Sequence, residues 1–152
     1  MRVFRLSRKI YANDLSGRGA AIFGNRWNSK GVEMVYSAQG RALAMAEVLV
    51  HLSLEDLPED YMMVALDIPS SIKIEEIFLK NLDTDWNIHP PTSQTQKIGD
   101  KFIDDKKFCV LKVPSAVVKG DFNFLINPNH PEIKKIKIIE VVEFPFDKRI
   151  FK

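Results

Sequence analysis

The sequence predicts a single α+β domain with a mixed, mainly antiparallel sheet. A chain of 152 residues has the size of one domain and is long enough to bury a substantial core. Short apolar segments typical of strands outnumber the helical segments, and the two kinds do not alternate regularly. Regular alternation would favour a doubly wound fold, so the observed order favours α+β. Residues 1–152 are predicted to form one domain, without a repeat, linker or low-complexity segment.

Three strands and one helix are predicted in the N-terminal half. The strands cover 2–6, 34–38 and 61–68, the helix covers 41–52, and the intervening segments are a glycine-rich connection at 11–23 and an acidic loop at 55–58. The strands are predicted from short apolar or weakly alternating runs, the last of them stopped by Pro69. The helix is predicted because a long run is apolar on nearly every side.

The C-terminal half predicts three further strands and one more helix. The predicted segments are an extended piece with a turn at 72–82, a loop at 86–91, a helix at 92–105, strands at 108–113, 122–126 and 135–144, and a rigid turn at 127–131. Two adjacent prolines exclude regular structure from the loop. Gly99 is expected to interrupt or weaken the helix. Lys134, Lys135 and Lys137 are interspersed with Ile133, Ile136 and Ile138, so these lysines are expected on the solvated face of a strand.

Composition excludes several classes of protein. A net charge of +2 without a concentrated basic face argues against direct nucleic-acid binding. The single cysteine, Cys109, excludes an intramolecular disulfide and suits a reducing compartment. No apolar run approaches the roughly 18 residues of a membrane span, and the N-terminus lacks the apolar region of a signal peptide. We therefore expect a cytoplasmic protein without a membrane association.

A polar turn, a short strand and a helix carry the candidate site. The turn at 24–31 holds Arg26, the strand holds Tyr36, and the middle of the apolar helix holds Glu47. A buried carboxylate without a partner is costly, so a compensating group is expected, and Arg26 and Tyr36 lie just upstream. The three side chains are predicted to form one polar cluster in an apolar frame, which is typical of small-molecule sites.

Neither a metal site nor a nucleotide-binding loop is predicted. The three histidines and the cysteine are too widely spaced for zinc. Glu47 and His51 lie four residues apart on one helix face, which would suit a metal pair or an acid–base dyad, but a histidine that caps or packs the helix end explains His51 better. The glycines at 17, 19 and 24 do not lie directly between a strand and a helix, as a dinucleotide fingerprint requires.

Ser115 and Trp27 have ordinary structural interpretations when each is taken alone. Ser115 stands outside any Gly-x-Ser-x-Gly frame, so it is predicted as a turn residue rather than a nucleophile. Trp27 is predicted to belong to the core rather than to a stacking platform. These interpretations weaken only when the residues are considered together with the motifs around them.

A series of short motifs follows in order along nearly the whole chain. They are Phe4-Arg5, residues 15–20, Gly24-Asn25-Arg26-Trp27-Asn28, Val35-Tyr36-Ser37, residues 42–51, residues 113–118, residues 123–131 and Phe146-Asp147-Lys148-Arg149. Together they resemble the RES domain, a bacterial toxin family named for an arginine, a glutamate and a serine. Asn25 stands where the family often has a second glycine, and asparagine tolerates a positive φ better than most residues.

The resemblance implies a fold similar to that of the ADP-ribosyltransferase toxins and NAD as a substrate, without a metal. It also implies a neighbouring helix-turn-helix antitoxin of the Xre type that neutralises the enzyme. Assembly into a homo-oligomer and the stoichiometry with the antitoxin stay open.

Cleavage of the nicotinamide–ribose bond fits a site with one carboxylate. The reaction passes through an oxocarbenium-like sugar, and most glycosidases need a second carboxyl group to protonate the leaving oxygen. Nicotinamide leaves NAD from a cationic ring and departs neutral, so no general acid is required. The resemblance thus implies that Glu47 hydrogen-bonds a ribose hydroxyl and stabilises the developing positive charge.

The resemblance also implies roles for the other candidate residues. Arg26 presents a planar fork to the pyrophosphate or a ribose hydroxyl. Tyr36 offers an aromatic face and a hydroxyl to nicotinamide, and Ser115 holds the far side of the ribose or braces Glu47. The second-tier candidates for NAD binding are Arg5 and Asn127.

Three functions stay open at this point. Water or phosphate as the acceptor would make the chain an NAD-degrading toxin, whereas a protein side chain would make it an ADP-ribosyltransferase. The third is a non-catalytic protein-binding module. The combination of Arg26, Tyr36, Glu47 and Ser115 argues against that module, because binding alone gives no reason for a buried glutamate.

Overall fold

Seven strands form one sheet in the order β4-β5-β6-β2-β1-β3-β7. The computed structural model describes residues 1–53, 55 and 57–151, so Asp56 of the expected acidic loop lies outside the described residues. The strands are β1 Arg2–Arg8, β2 Val35–Ala38, β3 Tyr61–Asp67, β4 Ile74–Glu76, β5 Val110–Pro114, β6 Phe122–Ile126 and β7 Lys137–Glu143. The α-helices are α1 Arg18–Phe23, α2 Arg41–Leu49 and α3 Ser93–Asp105.

The sheet is mixed and mainly antiparallel, which confirms the predicted α+β class. β4 and β5 run parallel, and the other neighbouring strands run antiparallel. Short 3-10 helices at Lys9–Tyr11, Leu79–Asn81, Pro131–Lys135 and Lys148–Phe151 join or follow the strands. In the part of the chain that is described, no helix is long and apolar enough to cross a membrane.

The middle of the sheet is its weakest junction. β1 pairs with β3 along its whole length, and β2 pairs with β6 from Val35 to Ala38. Between β1 and β2, in contrast, the register consists of the single pair Phe4–Ala38. The two halves of the sheet are therefore free to diverge on either side of this pair, and a cleft opens there.

Each half of the sheet carries its own helix and its own apolar cluster on the cleft side. α2 packs through Leu43 and Ala44 against a cluster of Phe4, Leu6, Ala38, Met63 and Ala65. α3 packs through Phe102 and Ile103 against a cluster of Trp27, Met34, Trp86, Leu111, Val113 and Leu125. Because side chains alternate along a strand, the neighbouring residues form a third cluster on the other face, which includes Val3, Val35, Val64, Val110 and Ile126.

Three local expectations were wrong. The connection at 11–23 contains α1, a short helix. Lys134 and Lys135 belong to the 3-10 helix Pro131–Lys135 rather than to the last strand, which begins at Lys137. Proline at the first position and Glu132 in the first turn favour that helix start. α3 runs through Gly99 without interruption.

Gly99 is required for close packing rather than tolerated as a weak helix residue. A Cβ at this position would lie 1.6 Å from the backbone oxygen of Trp27. We expect Gly99→Ala to destabilise the fold by roughly 1–3 kcal/mol, the usual cost of overpacking, although alanine is the better helix former. The urea unfolding midpoint measures this effect.

Gly19→Ala is the matched control, because a Cβ at Gly19 in α1 meets nothing within 4 Å. This control should be neutral or stabilising by up to about 1 kcal/mol. Equal stability of Gly99→Ala and the wild type would show that α3 does not pack as closely against residue 27 as the structure indicates.

Candidate active site

A cavity of about 1400 Å³ lies where β1 and β2 diverge. Its walls come from β1, β2, α1, α2 and the turn at 24–31. Of the residues predicted for the site, Arg5, Arg26, Tyr36 and Glu47 line this cavity. The structure thus brings the three residues of the predicted polar cluster to one space.

The turn that carries Arg26 is built around the side chain of Asn28. The Asn28 side chain is fully buried, and its Nδ2 donates to the carbonyl oxygens of Ala20 and Val32 at 2.9 Å. Gly24 adopts a φ of 71° at the start of the turn, a left-handed conformation that glycine adopts without strain. Asn25 does not have a positive φ, because among the described residues Lys106 is the one residue other than glycine with a positive φ. The tolerance of positive φ expected of Asn25 is therefore not needed.

α3 fixes the position of this turn. Asp100 accepts a hydrogen bond from the Ser29 amide at 2.8 Å and another from the Ser29 hydroxyl at 2.5 Å. Gln96 donates through Nε2 to the Asn25 carbonyl at 3.1 Å. Together with the close approach at Gly99, these bonds hold the backbone around Arg26 against a regular helix.

The Tyr36 hydroxyl is engaged with the same turn. It accepts a hydrogen bond from the Trp27 amide at 3.1 Å and donates to Asn28 Oδ1 at 2.7 Å. Burial raises the pKa of Tyr36, so the hydroxyl keeps the proton that it donates. The hydroxyl therefore positions the turn, and the side chain remains part of the cavity wall.

Ser115 and Asn123 hold the Glu47 carboxylate, whereas Arg26 and Tyr36 were the groups expected to compensate its charge. Its Oε1 accepts a hydrogen bond from Ser115 Oγ at 2.8 Å and from Asn123 Nδ2 at 2.6 Å. The Glu47 side chain is half-buried rather than fully buried, since it lines the cavity. Hydrogen bonds to a charged group are worth more than neutral ones, typically about 1.5–3 kcal/mol, so two donors fix the carboxylate.

Ser115 donates to Glu47, which is the contact that the bracing role predicted for it requires. It is 4% exposed, and its Oγ also accepts hydrogen bonds from the amides of Val117 and Val118 at 3.1 and 3.0 Å. The hydroxyl thus connects the turn after β5 to the carboxylate on α2.

Ser115→Ala should therefore reduce the stability of the fold. The two amides lose their acceptor, and Glu47 loses a donor, so we expect a loss of roughly 1–3 kcal/mol in the free energy of unfolding. Urea unfolding measures the effect, with Ser71→Ala as control because Ser71 is exposed. If Ser115→Ala were as stable as the wild type, Ser115 would not join the turn after β5 to α2.

Asn123 is the site residue that sequence analysis missed. It lies on β6 directly opposite Ala38 of β2, lines the cavity and donates to Glu47. One signal was available in the sequence, because an amide inside the apolar segment Phe122–Ile126 must find a polar partner when buried.

Arg26 lines the cavity but also contacts a distant loop. Its Nη1 donates to the carbonyl oxygens of Trp86 at 2.7 Å and Ile88 at 2.9 Å. Burial lowers the pKa of Arg26, and the negative charge of Glu47 opposes this shift. The Glu47 carboxylate therefore lies close enough to the Arg26 guanidinium to favour its charged form.

Arg5 on β1 supplies another guanidinium group to the cavity wall. Its Nη1 donates to the Asp14 carbonyl oxygen at 2.7 Å. Burial lowers the pKa of Arg5, and the Asp14 carboxylate opposes the shift. Two cationic side chains, one near each half of the sheet, therefore face the same space.

Asn127 is not brought to this cavity. It is fully buried, and its Nδ2 donates to the Ile103 carbonyl at 3.1 Å while its Oδ1 accepts from the Asn129 amide at 2.9 Å. These bonds join the end of β6 to α3. The structure thus gives Asn127 contacts within the protein and none with the cavity wall described above.

His51 and Trp27 were left open by the sequence, and the structure places both at the cavity. His51 is exposed and lines the wall after α2. Trp27 is 2% exposed, and its ring lies 6.2 Å from that of Trp86 at an interplanar angle of 41°, so it belongs mainly to the core. No group of three metal-ligating side chains occurs in the described ranges.

The cavity wall holds the Glu47 carboxylate, which two donors fix, and the guanidinium groups of Arg5, Arg18 and Arg26. Such a set is suited to a ligand that carries negative charge along its length and develops positive charge at one atom.

Comparison with known proteins identifies a family match over nearly the whole chain. The family model described as the RES domain matches residues 2–147. The Prs ADP-ribosylating toxin of Sphingobium sp. (strain YBL2) is 36% identical over 99% of this chain and 95% of its own length. A protein named Toxin Res from Pseudomonas putida is 36% identical over 99% of this chain and its own full length.

A solved structure shares the fold. In the crystal structure of the M. tuberculosis MbcT–MbcA toxin–antitoxin complex, one chain superposes with a TM-score of 0.77 and 19% sequence identity. The match covers 95% of this chain and 84% of that one. The fold is thus shared with a protein whose sequence is less similar to this chain than those of the two relatives above.

Proposed function

The chain belongs to the RES domain family, and from this premise we propose that it is the toxin of a bacterial toxin–antitoxin system that consumes NAD. The proposed reaction cleaves the bond between nicotinamide and ribose, with water or phosphate as the acceptor. The names of the relatives and the toxin–antitoxin structure of the same fold support the proposal.

The proposed reaction depends on one observation: two hydrogen-bond donors hold the Glu47 carboxylate at the cavity wall. Its Oε1 bonds to Ser115 and Asn123, so the carboxylate has a fixed place before any ligand arrives. Preorganised charge opposite a developing charge is commonly the largest contribution to catalysis. Glu47 would therefore hold a ribose hydroxyl and stabilise the oxocarbenium-like sugar as neutral nicotinamide leaves.

The cationic groups would receive the rest of the substrate. Arg26 and Arg5 both line the cavity, and a guanidinium group suits a pyrophosphate. Tyr36, whose hydroxyl is bonded to the turn, would contribute its ring face. Because nicotinamide departs neutral and Glu47 stabilises the developing positive charge, the reaction requires no metal. We therefore propose that it proceeds without one.

Transfer of ADP-ribose to a protein is the second candidate function. It is favoured by the name of the Sphingobium relative, which describes an ADP-ribosylating toxin. Both functions break the same bond and release nicotinamide, so Glu47 has the same task in each. Incorporation of labelled ADP-ribose into protein, compared with release of free ADP-ribose (water as acceptor) or of its 1″-phosphate (phosphate as acceptor), separates them.

We further propose an antitoxin of the Xre helix-turn-helix type as partner, acting in the cytoplasm where NAD is available. An acidic side chain or a C-terminal carboxylate would suit the guanidinium-lined cavity. Expression of the chain alone should arrest bacterial growth and deplete NAD, and the genomic neighbour should prevent both. Harmless expression of active enzyme with an unchanged NAD pool would remove the case for a toxin and for an antitoxin.

A further inference from the structure

Arg26 has a structural task in addition to its place in the cavity. Its Nη1 bonds to two carbonyl oxygens, those of Trp86 and Ile88, at 2.7 and 2.9 Å. Both acceptors belong to the segment at 86–91, here called the rim loop. One guanidinium group therefore ties the rim loop to the turn at 24–31.

Few other contacts hold the rim loop. The amides of Trp86 and Ile88 bond to the carbonyls of Asp83 and Asp85, which lie directly before the loop. Among the described residues, two hydrogen bonds connect residues 84–91 to parts of the chain outside residues 79–95. Arg26 donates both of them. The other anchor is the indole of Trp86, which is 8% exposed and belongs to the apolar cluster under α3.

The rim loop presents polar groups to the cavity. Asn87 and His89 both line it, and both are exposed. A primary amide and an imidazole can each donate and accept hydrogen bonds. They are therefore able to recognise a base or a ribose.

The rim loop and Glu47 are attached to different parts of the cavity. Glu47 is bonded to Asn123, which pairs with Ala38 on β2. The rim loop is bonded to the turn that contacts the Tyr36 hydroxyl. Tyr36 and Ala38 lie two residues apart on one strand, or about 6–7 Å, and the tyrosine side chain adds its own length. A substrate with its nicotinamide ribose at Glu47 would extend toward the rim loop.

We infer that the rim loop binds the adenosine half of NAD, an inference that rests on the proposed function. Arg26 is then the positioning residue that holds Asn87 and His89 at the cavity. Arg26 would thus act on substrate binding through the loop as well as through its own charge.

The positioning role is tested by hydrogen exchange, which does not depend on activity. Arg26→Met keeps an unbranched, flexible side chain but removes the guanidinium group and with it both hydrogen bonds to the rim loop. The amides of residues 87–89 should exchange about tenfold faster or more, while those of α2 stay unchanged. Unchanged exchange in the rim loop would overturn the role of Arg26 as its anchor.

The binding role is tested with AMP and nicotinamide as separate probes. The double variant Asn87→Ala, His89→Ala should weaken AMP binding, measured by calorimetry, at least about tenfold. Inhibition of turnover by nicotinamide should change by less than about twofold. Asn81→Ala, an exposed residue in the preceding 3-10 helix, is the control and should behave like the wild type.

The two arms separate this inference from the proposed function. If the wild-type chain binds AMP no better than the double variant does, the adenosine role is overturned, whatever the turnover. If the wild type binds AMP more tightly but releases no nicotinamide from NAD, the proposed reaction fails and the rim loop remains a nucleotide-binding element.

Discussion

Replacing Glu47 by glutamine should nearly abolish NAD turnover and leave the fold intact. The amide keeps the shape of the side chain, and its oxygen can still accept from Ser115 and Asn123. Only the negative charge opposite the developing cation is lost. Removal of one preorganised electrostatic contact commonly costs about 3–4 kcal/mol of transition-state stabilisation, which corresponds to a loss of roughly 10²–10³ in rate.

Nicotinamide release under saturating NAD measures the effect, and circular dichroism with urea unfolding checks the fold. Glu143→Gln is a matched control, because Glu143 is exposed on the edge strand β7. A Glu47→Gln enzyme that kept more than about a tenth of the wild-type rate, a loss below roughly 1.4 kcal/mol, would show that another group stabilises the transition state.

Replacing Asn123 should produce the second-largest loss, and the chemistry of the replacement should decide its size. Asn123→Ala removes a donor that lies 2.6 Å from Glu47 Oε1, so we expect turnover to fall about tenfold to a hundredfold. Asn123→Asp is nearly isosteric but places a second carboxyl group against the first. Two carboxylates this close cannot both ionise readily, so one takes up a proton and the catalytic charge is compromised.

Asn123→Asp should therefore be the less active of the two variants near neutral pH, although it is the more conservative in shape. The kcat and KM for NAD of both variants, with the exposed Asn81→Asp as control, test this order. If Asn123→Asp were more active than Asn123→Ala, the amide nitrogen would not be donating to an ionised Glu47.

Most strands and the helices α2 and α3 could be predicted because their signal is local. β3 and β6 read as short apolar runs with clear ends, and both are buried along most of their length. α1 was missed because it has only six residues, Arg18–Phe23, and begins after a glycine without a side-chain cap. Helices of this length depend on tertiary contacts rather than on propensity.

For the candidate site, the sequence could indicate which residues lie at one cavity but not which contacts they make. Glu47, Arg26 and Tyr36 meet at one cavity, as expected from an apolar helix that carries a carboxylate. The partners of these groups are distant in sequence. Glu47 bonds to residues 68 and 76 positions away, and Arg26 to carbonyls 60 and 62 positions away.

Such pairings depend on how the two halves of the sheet meet, and periodicity contains no information about that. A single sequence indicates that Asn123 needs a partner when buried, but not which side chain provides it. The same limit applies to Asn127, whose polar group bonds to the Ile103 carbonyl on α3 instead of facing the cavity.

The most direct test of the account is the release of free nicotinamide from NAD by the purified chain in the presence of a chelator. We expect nicotinamide to appear at the same rate with and without EDTA, and to fall to background in Glu47→Gln. Wild-type protein that releases no more nicotinamide than Glu47→Gln, or that does so only after zinc or magnesium is added, would contradict the proposal of metal-independent NAD cleavage at Glu47.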